Sequence, residues 1–416
     1  MRRFRLSPLL LLLLPLACGR TMDKRTTRIS RFEAQRNEAL NRGDRLQASR
    51  ATLALDREIE LDAAEVVDPE APGGRARVER KYELLGQRLE VEAQNAASTD
   101  LTARTLPIAY NPKELAAVKE VTKDYGDLYV GPTAGFNEFR LPHIPWAGYW
   151  YPASGAALYG TPDTPLAKLD QLAQAVGRPG GIVQWEKDHA SAVPLSTWEG
   201  FCDAWALAAT QTPEPRQTLT YKGVRFAPHD LKAILTKAFQ LYPVKQYGIR
   251  YDGDFATDGT FQDIRPEAFQ RLIEAVVLGQ KRPLVIDDAP GVEVWSKPLF
   301  GMRWRIDVDP EVPNAYRVKL LALLVSHRRA ISDKPTTEND VVPVLYQYRL
   351  FVDPQVKKDG RSLVIAGEWL GDSLSAHPDY VLVPAQNGAW SSPNQALNGS
   401  LDLVRELLSK GTPRAP

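Results

Sequence analysis

Trp198-Glu-Gly-Phe-Cys202-Asp-Ala-Trp-Ala-Leu-Ala-Ala209 sets the first expectation for this chain. A glycine-containing turn runs into an alanine-rich stretch, and alanine is the strongest helix former. The spacing therefore predicts a helix that begins at Cys202. A thiol at a helix start feels the positive end of the dipole, which lowers its pKa and favours a reactive thiolate. The bland alternative is a buried cysteine acting as a small hydrophobe. The chain has two cysteines, Cys18 and Cys202.

The other cysteine belongs to a leader-like segment. Met1-Arg-Arg-Phe-Arg5 is basic, Leu9 to Leu14 is an unbroken leucine run, and Leu16-Ala17-Cys18-Gly19 follows. This reads as a secretory signal, too short for a stable membrane span. Ala17 before Cys18 resembles a lipoprotein cleavage site, so residues 1–18 form the expected signal and Cys18 the lipidated end. Pro15 stands where such sites carry leucine, and cleavage near Ala17 with plain secretion is the alternative. Both place the mature protein outside the cytoplasm, anchored to the membrane in the first case. Cys202 is then an unpaired thiol in an oxidising compartment, a liability unless it is used.

The 416 residues are 44 % hydrophobic and 25 % charged, with a net charge of +1. Those values fit a globular protein with one large domain and an extension, and argue against a nucleic-acid partner. Residues 19–105 lack tryptophan and are rich in Arg, Glu, Asp and Ala. Segments 30–66 and 75–97 read as polar helices with thin apolar stripes (Leu40, Leu46, Leu53, Leu55; Leu84, Leu85, Leu89), the pattern of a stalk or spacer. From 106 to 416 the chain turns aromatic and Pro/Gly-rich. Trp146-Ala-Gly-Tyr-Trp150-Tyr-Pro152 is its densest aromatic cluster. Helices are expected from Pro165, around Asp230–Phe239 with Asp230 as cap, and over Pro266–Leu278. Strands are expected at Pro283–Asp287 and Val292–Trp295. Val344–Val352 and Arg361–Trp369 should pair as a hairpin through Lys-Lys-Asp-Gly. Nucleophile helix, further helices, then strands is the order of a papain-like α+β fold, here with an N-terminal helical spacer.

Several segments between Trp146 and Pro384 together resemble the transglutaminase elicitor family. Gly200-Phe-Cys202-Asp-Ala-Trp205-Ala-Leu-Ala-Ala209 is similar to its Gly-x-Cys-x-x-Trp-Ala-x-Ala-Ala, and Pro213-Glu-Pro215 follows. Gly223-Val-Arg-Phe226, Asp230-Leu-Lys-Ala233 and Glu293-Val-Trp295-Ser-Lys-Pro298 continue the series, the last resembling Val-Trp-Asn-Gln-Pro. Gly367-Glu-Trp369 and His377-Pro-Asp379-Tyr380 resemble Gly-Glu-Trp and His-Pro-Asp-Phe. The resemblance implies a thiol acyltransferase that joins glutamine to primary amines, with protein or peptide substrates. This chain departs from the pattern at Ser296, and at Phe269-Gln270 where the family carries Phe-His. If that His is the family's base, a binding-only lipoprotein is the alternative; a thiol hydrolase on the same fold is another.

Acyl transfer from a carboxamide needs a thiolate, an imidazole, an orienting group and an oxyanion hole. Cys202 is the nucleophile, with its own backbone N–H a candidate for the oxyanion hole. Of five histidines, His377 is the first choice for base because it follows the Gly-Glu-Trp strand. His229, beside Asp230, reads as a surface or capping residue. His189 could line the cleft, His143 sits in a Pro-rich loop, and His327 reads as a solvated helix end. Asp287 and Asp288 end an apolar strand, where a carboxylate is held rigidly; Glu368 is a second candidate for the orienting role. Trp205, Trp295 and Trp369 could wall a tunnel that excludes water, or simply be core. No cofactor and no metal site are expected. Asp252-Gly-Asp-Phe-Ala-Thr-Asp-Gly259 lacks the closing Glu of a calcium loop.

Overall fold

A computed structural model describes residues 24–42, 112–153, 155–189, 199–249, 263–288, 294–374 and 376–412. The chain divides between Asp100 and Leu101 into two units. In the first, α1 spans Lys24–Asn41. The expected leader and the rest of the spacer lie outside the described residues, as does the Asp252–Gly259 stretch.

The second unit mixes helices and antiparallel strands. In chain order, single helical turns aside, these are α2 (Pro112–Tyr125), β1 (Tyr129–Val130), β2 (Asn137–Arg140), α3 (Pro165–Ala175), α4 (Ile182–Asp188) and α5 (Cys202–Gln211). There follow β3 (Leu219–Tyr221), β4 (Val224–Phe226), α6 (Pro228–Ala238), β5 (Val244–Gly248) and α7 (Pro266–Leu272), which runs on as a π-helix over Ile273–Gly279. The remainder is β6 (Leu284–Asp287), β7 (Ser296–Val308), β8 (Ala315–Val325), β9 (Val341–Lys358), β10 (Arg361–Trp369), β11 (Tyr380–Pro384) and α8 (Leu401–Gly411).

Nine strands form one sheet in the order β1-β10-β9-β8-β7-β6-β11-β5, with β2 also paired to β7. The expected hairpin is β9 and β10. Asp359 and Gly360 turn it with φ of 51° and 76°, the left-handed pair that a two-residue hairpin requires. Of the expected strand Val292–Trp295, Val292 and Glu293 lie outside the described residues, while Val294 and Trp295 precede β7, which starts at Ser296. Asp230 is not the cap itself. Ala227 holds that position, Pro228 fills the first turn where no N–H is needed, and the Asp230 carboxylate accepts from the Ala227 N–H at 2.7 Å.

Side chains alternate across the sheet with a period of two, and this alternation separates two cores. Val285, Phe300, Leu323, Val325, Tyr380 and Leu382 pack with α3, α5, α6 and α8. Leu284, Ile286, Tyr346, Tyr348, Val381 and Trp369 pack with α2 and α7 on the opposite face. A residue's parity in its strand thus decides whether it can meet Cys202.

Candidate active site

Helix α5 begins at Cys202, as expected. The Phe201 N–H donates to the carbonyls of Trp150 (2.9 Å) and Tyr151 (3.1 Å), so the aromatic segment 146–152 straps the helix start. Two glycines permit the approach. A Cβ on Gly200 would lie 2.2 Å from the Trp150 ring, and one on Gly148 would lie 2.6 Å from the Trp205 indole. Beneath this strap Cys202 is only 6 % exposed. Its thiol donates to the Val294 carbonyl at 3.4 Å.

The expectation of a thiolate at rest is overturned. Burial, then Asp203, and more weakly Asp287, push the Cys202 thiol up to about 11, against a smaller opposing effect of Ser296. The dipole of a short helix is worth about 1 kcal/mol, and removing the ionised sulfur from water costs more.

Asp287 comes to the Cys202 thiol, since it shares strand parity with Val285. Its Oδ1 accepts from the Trp295 N–H at 2.9 Å. Its Oδ2 is buried without a hydrogen-bond partner. Burial first, and the neighbouring Asp288 and Asp379, raise its pKa to about 8 against the Trp295 bond. The folded state therefore prefers the protonated carboxyl. The contribution of Asp287 to stability is complete below about pH 4 and is lost as pH rises to about 8. Urea midpoints of the wild type measured against Asp287→Asn should fall across that interval; a constant difference would exclude a raised pKa.

The histidines sort differently from the sequence expectation. His377 is buried on the far face of the sheet. Its ring stacks on Trp369 (centroids 5.0 Å, interplanar angle 15°), and its nitrogens face the Asp263 carboxylate and the Ser373 carbonyl, each at 2.7 Å. Trp369 is core there and donates to the Ile264 carbonyl. Gln270 lies in α7 on that face and bonds Tyr348 and Glu274. Its replacement of a histidine thus removes nothing from the surroundings of Cys202. Glu368 joins Arg349 in a buried ion network with Asp309. None of these four meets the thiol: His377, Trp369 and Gln270 lie across the sheet, and Glu368, of opposite parity to Trp369, is held in the ion network with Arg349 and Asp309.

His327 is the imidazole on the α5 side of the sheet. It is not a helix end: it follows β8, and its ring stacks on Trp295 (4.6 Å, 17°) and meets Trp205 edge-on at 6.4 Å. Burial, reinforced by Lys297, lowers its pKa to about 4, so it is a neutral imidazole at pH 7. The apolar run Leu320-Leu-Ala-Leu-Leu-Val325 before it was the available signal for a strand end. Of the others, His229 pairs with Asp333 at 2.7 Å and sits at the start of α6. Buried Asp230 pairs with Lys168. His189 stacks on Trp185, and His143 is exposed. Asp288 pairs with Lys297.

Trp205 Nε1, Asp287 Oδ2, Ser296 Oγ and His327 Nδ1 are all buried without a hydrogen-bond partner. Orphaned polar atoms are costly; Asp287 and Ser296 act on the Cys202 thiol, Trp205 and His327 meet edge-on on the same side of the sheet, and a polar ligand there would supply the missing bonds. Among the described residues no group of three or more His, Cys, Asp or Glu could hold a metal ion, and no helix is long and apolar enough to cross a membrane.

This segment has recognisable relatives. Residues 182–311 match the transglutaminase elicitor family. The match bears out the resemblance read from the motifs and spans α4 to β7, with Cys202, Asp287 and Ser296 inside it. The structure of the GP42 transglutaminase from Phytophthora sojae is similar, with a TM-score of 0.50, 17 % identity, and coverage of 73 % of this chain and 98 % of that one. At that identity the likeness concerns the fold. No curated protein matches the chain.

Proposed function

We propose that this protein is a thiol acyltransferase of transglutaminase type, acting on glutamine side chains and primary amines on a papain-like arrangement of nucleophile helix and antiparallel sheet. The observation that carries the reading is that Asp287 acts on the Cys202 thiol on the face of the sheet where His327 packs against Trp295 and Trp205, and that Asp287, His327, Ser296 and Trp205 each keep a buried polar atom unpartnered. In the reaction Cys202 Sγ attacks the carboxamide carbon and His327 takes the thiol proton. The C–S bond forms as the carbonyl pair moves to oxygen. Collapse restores the carbonyl and breaks the C–N bond, and ammonia leaves with the proton from His327. An amine then attacks the thioester, passing its proton through His327 to the departing sulfur. Both groups rest neutral, so proton transfer accompanies attack rather than preceding it. Trp150 and Trp295, edge to face at 5.7 Å, help exclude the water that would hydrolyse the thioester. The reading places the protein outside the cytoplasm, lipidated at Cys18.

One observation favours a second reading, a binding protein with a silent thiol. Among the described residues, no imidazole hydrogen-bonds to Cys202; the thiol bonds Val294 instead. The full chain incubated with a fluorescent primary amine and a glutamine-rich protein separates the two. Amine incorporation that disappears in Cys202→Ala is expected. Ammonia release without incorporation indicates a hydrolase, and neither product leaves the binding reading.

A further inference from the structure

Three adjacent strands set three polar side chains in one row near the nucleophile. Ser296 opens β7 opposite Asp287 in β6. β11 pairs with β6 through Val381–Ile286 and Leu382–Val285, so Tyr380 stands on the other side of Asp287. Cross-strand neighbours share a face, and Tyr380 belongs to the core that holds α5. Ser296 is fully buried, and its Oγ makes no hydrogen bond of normal geometry. It nevertheless lies close enough to the Cys202 thiol and the Tyr380 hydroxyl to favour the ionised form of each. Burial and Asp287 outweigh this at Tyr380 and keep its hydroxyl protonated.

Attack on a carboxamide moves the carbonyl pair onto oxygen. Donors for that oxyanion must sit beside the sulfur, remain uncharged and be free of stronger partners. The two hydroxyls meet these conditions. A deprotonated Asp287 between them would repel the oxyanion, but its preference for the protonated form removes the conflict. We propose that Tyr380 and Ser296 form the oxyanion hole, donating hydrogen bonds to the carbonyl oxygen of the carboxamide attacked by Cys202. No proton is transferred. The proposal rests on the acyl-transfer reading. The two hydroxyls are features of this chain: the motifs it resembles carry Phe where Tyr380 stands and Asn where Ser296 stands.

Tyr380→Phe keeps the ring and removes only the donor. In the full chain, with a glutamine peptide and an amine, kcat should fall about 100-fold while KM stays within about twofold. A peptide with an aldehyde in place of the carboxamide forms a tetrahedral thiol adduct, and its affinity should fall by a similar factor. Binding of an unreactive peptide and alkylation of Cys202 by iodoacetamide should not change. Ser296→Ala should show the same split of kcat against KM, with slower alkylation of Cys202 because its hydroxyl favours the thiolate. Wild-type kcat and aldehyde affinity in both variants would overturn this assignment and leave the acyl-transfer reading standing. A wild type with neither Cys202-dependent turnover nor an aldehyde adduct would overturn both.

Discussion

His327→Asn should lower the kcat of Cys202-dependent acyl transfer by about 10²- to 10⁴-fold, the range for loss of a positioned acid–base group. The same exchange at His377 should leave kcat nearly unchanged. The contrast follows from the sheet. His327 follows β8 and packs between Trp295 and Trp205 on the nucleophile's side. His377 stacks on Trp369 behind the sheet, with both ring nitrogens occupied. His377→Asn should instead destabilise the fold by about 1–3 kcal/mol, the cost of leaving buried partners unsatisfied. Steady-state kinetics and denaturant midpoints on the two variants decide the matter. A collapse of kcat in His377→Asn with full activity in His327→Asn would reverse the assignment.

Arg349→Met should cost about 3–5 kcal/mol of stability, the largest expected loss from a position remote from the thiol. Arg349 is buried between Asp309, at 2.5 Å, and Glu368. Asp309 keeps a second partner in Arg317, at 2.9 Å. Removing Arg349 takes its buried bridge from both Asp309 and Glu368. Adding Glu368→Leu should recover part of the loss, since one of the two buried carboxylates that faced Arg349 is then gone. Urea midpoints of the single and double variants measure the coupling. Additive losses would show that the two side chains do not act as a pair.

Much of the architecture was legible because its causes are local. Gly200 and the alanine run set a helix beginning at Cys202. Asp359-Gly360 turned the β9–β10 hairpin, and Pro266 opened α7. Even the placement of Asp287 at a strand end could be read from Pro283-Leu-Val-Ile. These features depend on propensity and turn chemistry within a few residues.

The choice of base and the state of the thiol were not local. Among the sequence motifs His377 stood out and Ser326-His327-Arg-Arg did not, yet the choice between them rests on which face of the sheet each residue joins. Face membership depends on strand order and on parity summed over β6, β7, β8 and β11, and strands far apart in the chain become neighbours only on folding. The thiol's pKa fails in the same way. A helix dipole belongs to the segment that carries it, whereas burial beneath Trp150 and beside Asp287 is assembled from the strap at 146–152 and from the sheet. The sequence alone placed Cys202 at the start of the helix that presents it. Tertiary packing alone determined what surrounds that thiol, because desolvation and cross-strand contact exist only in the folded chain.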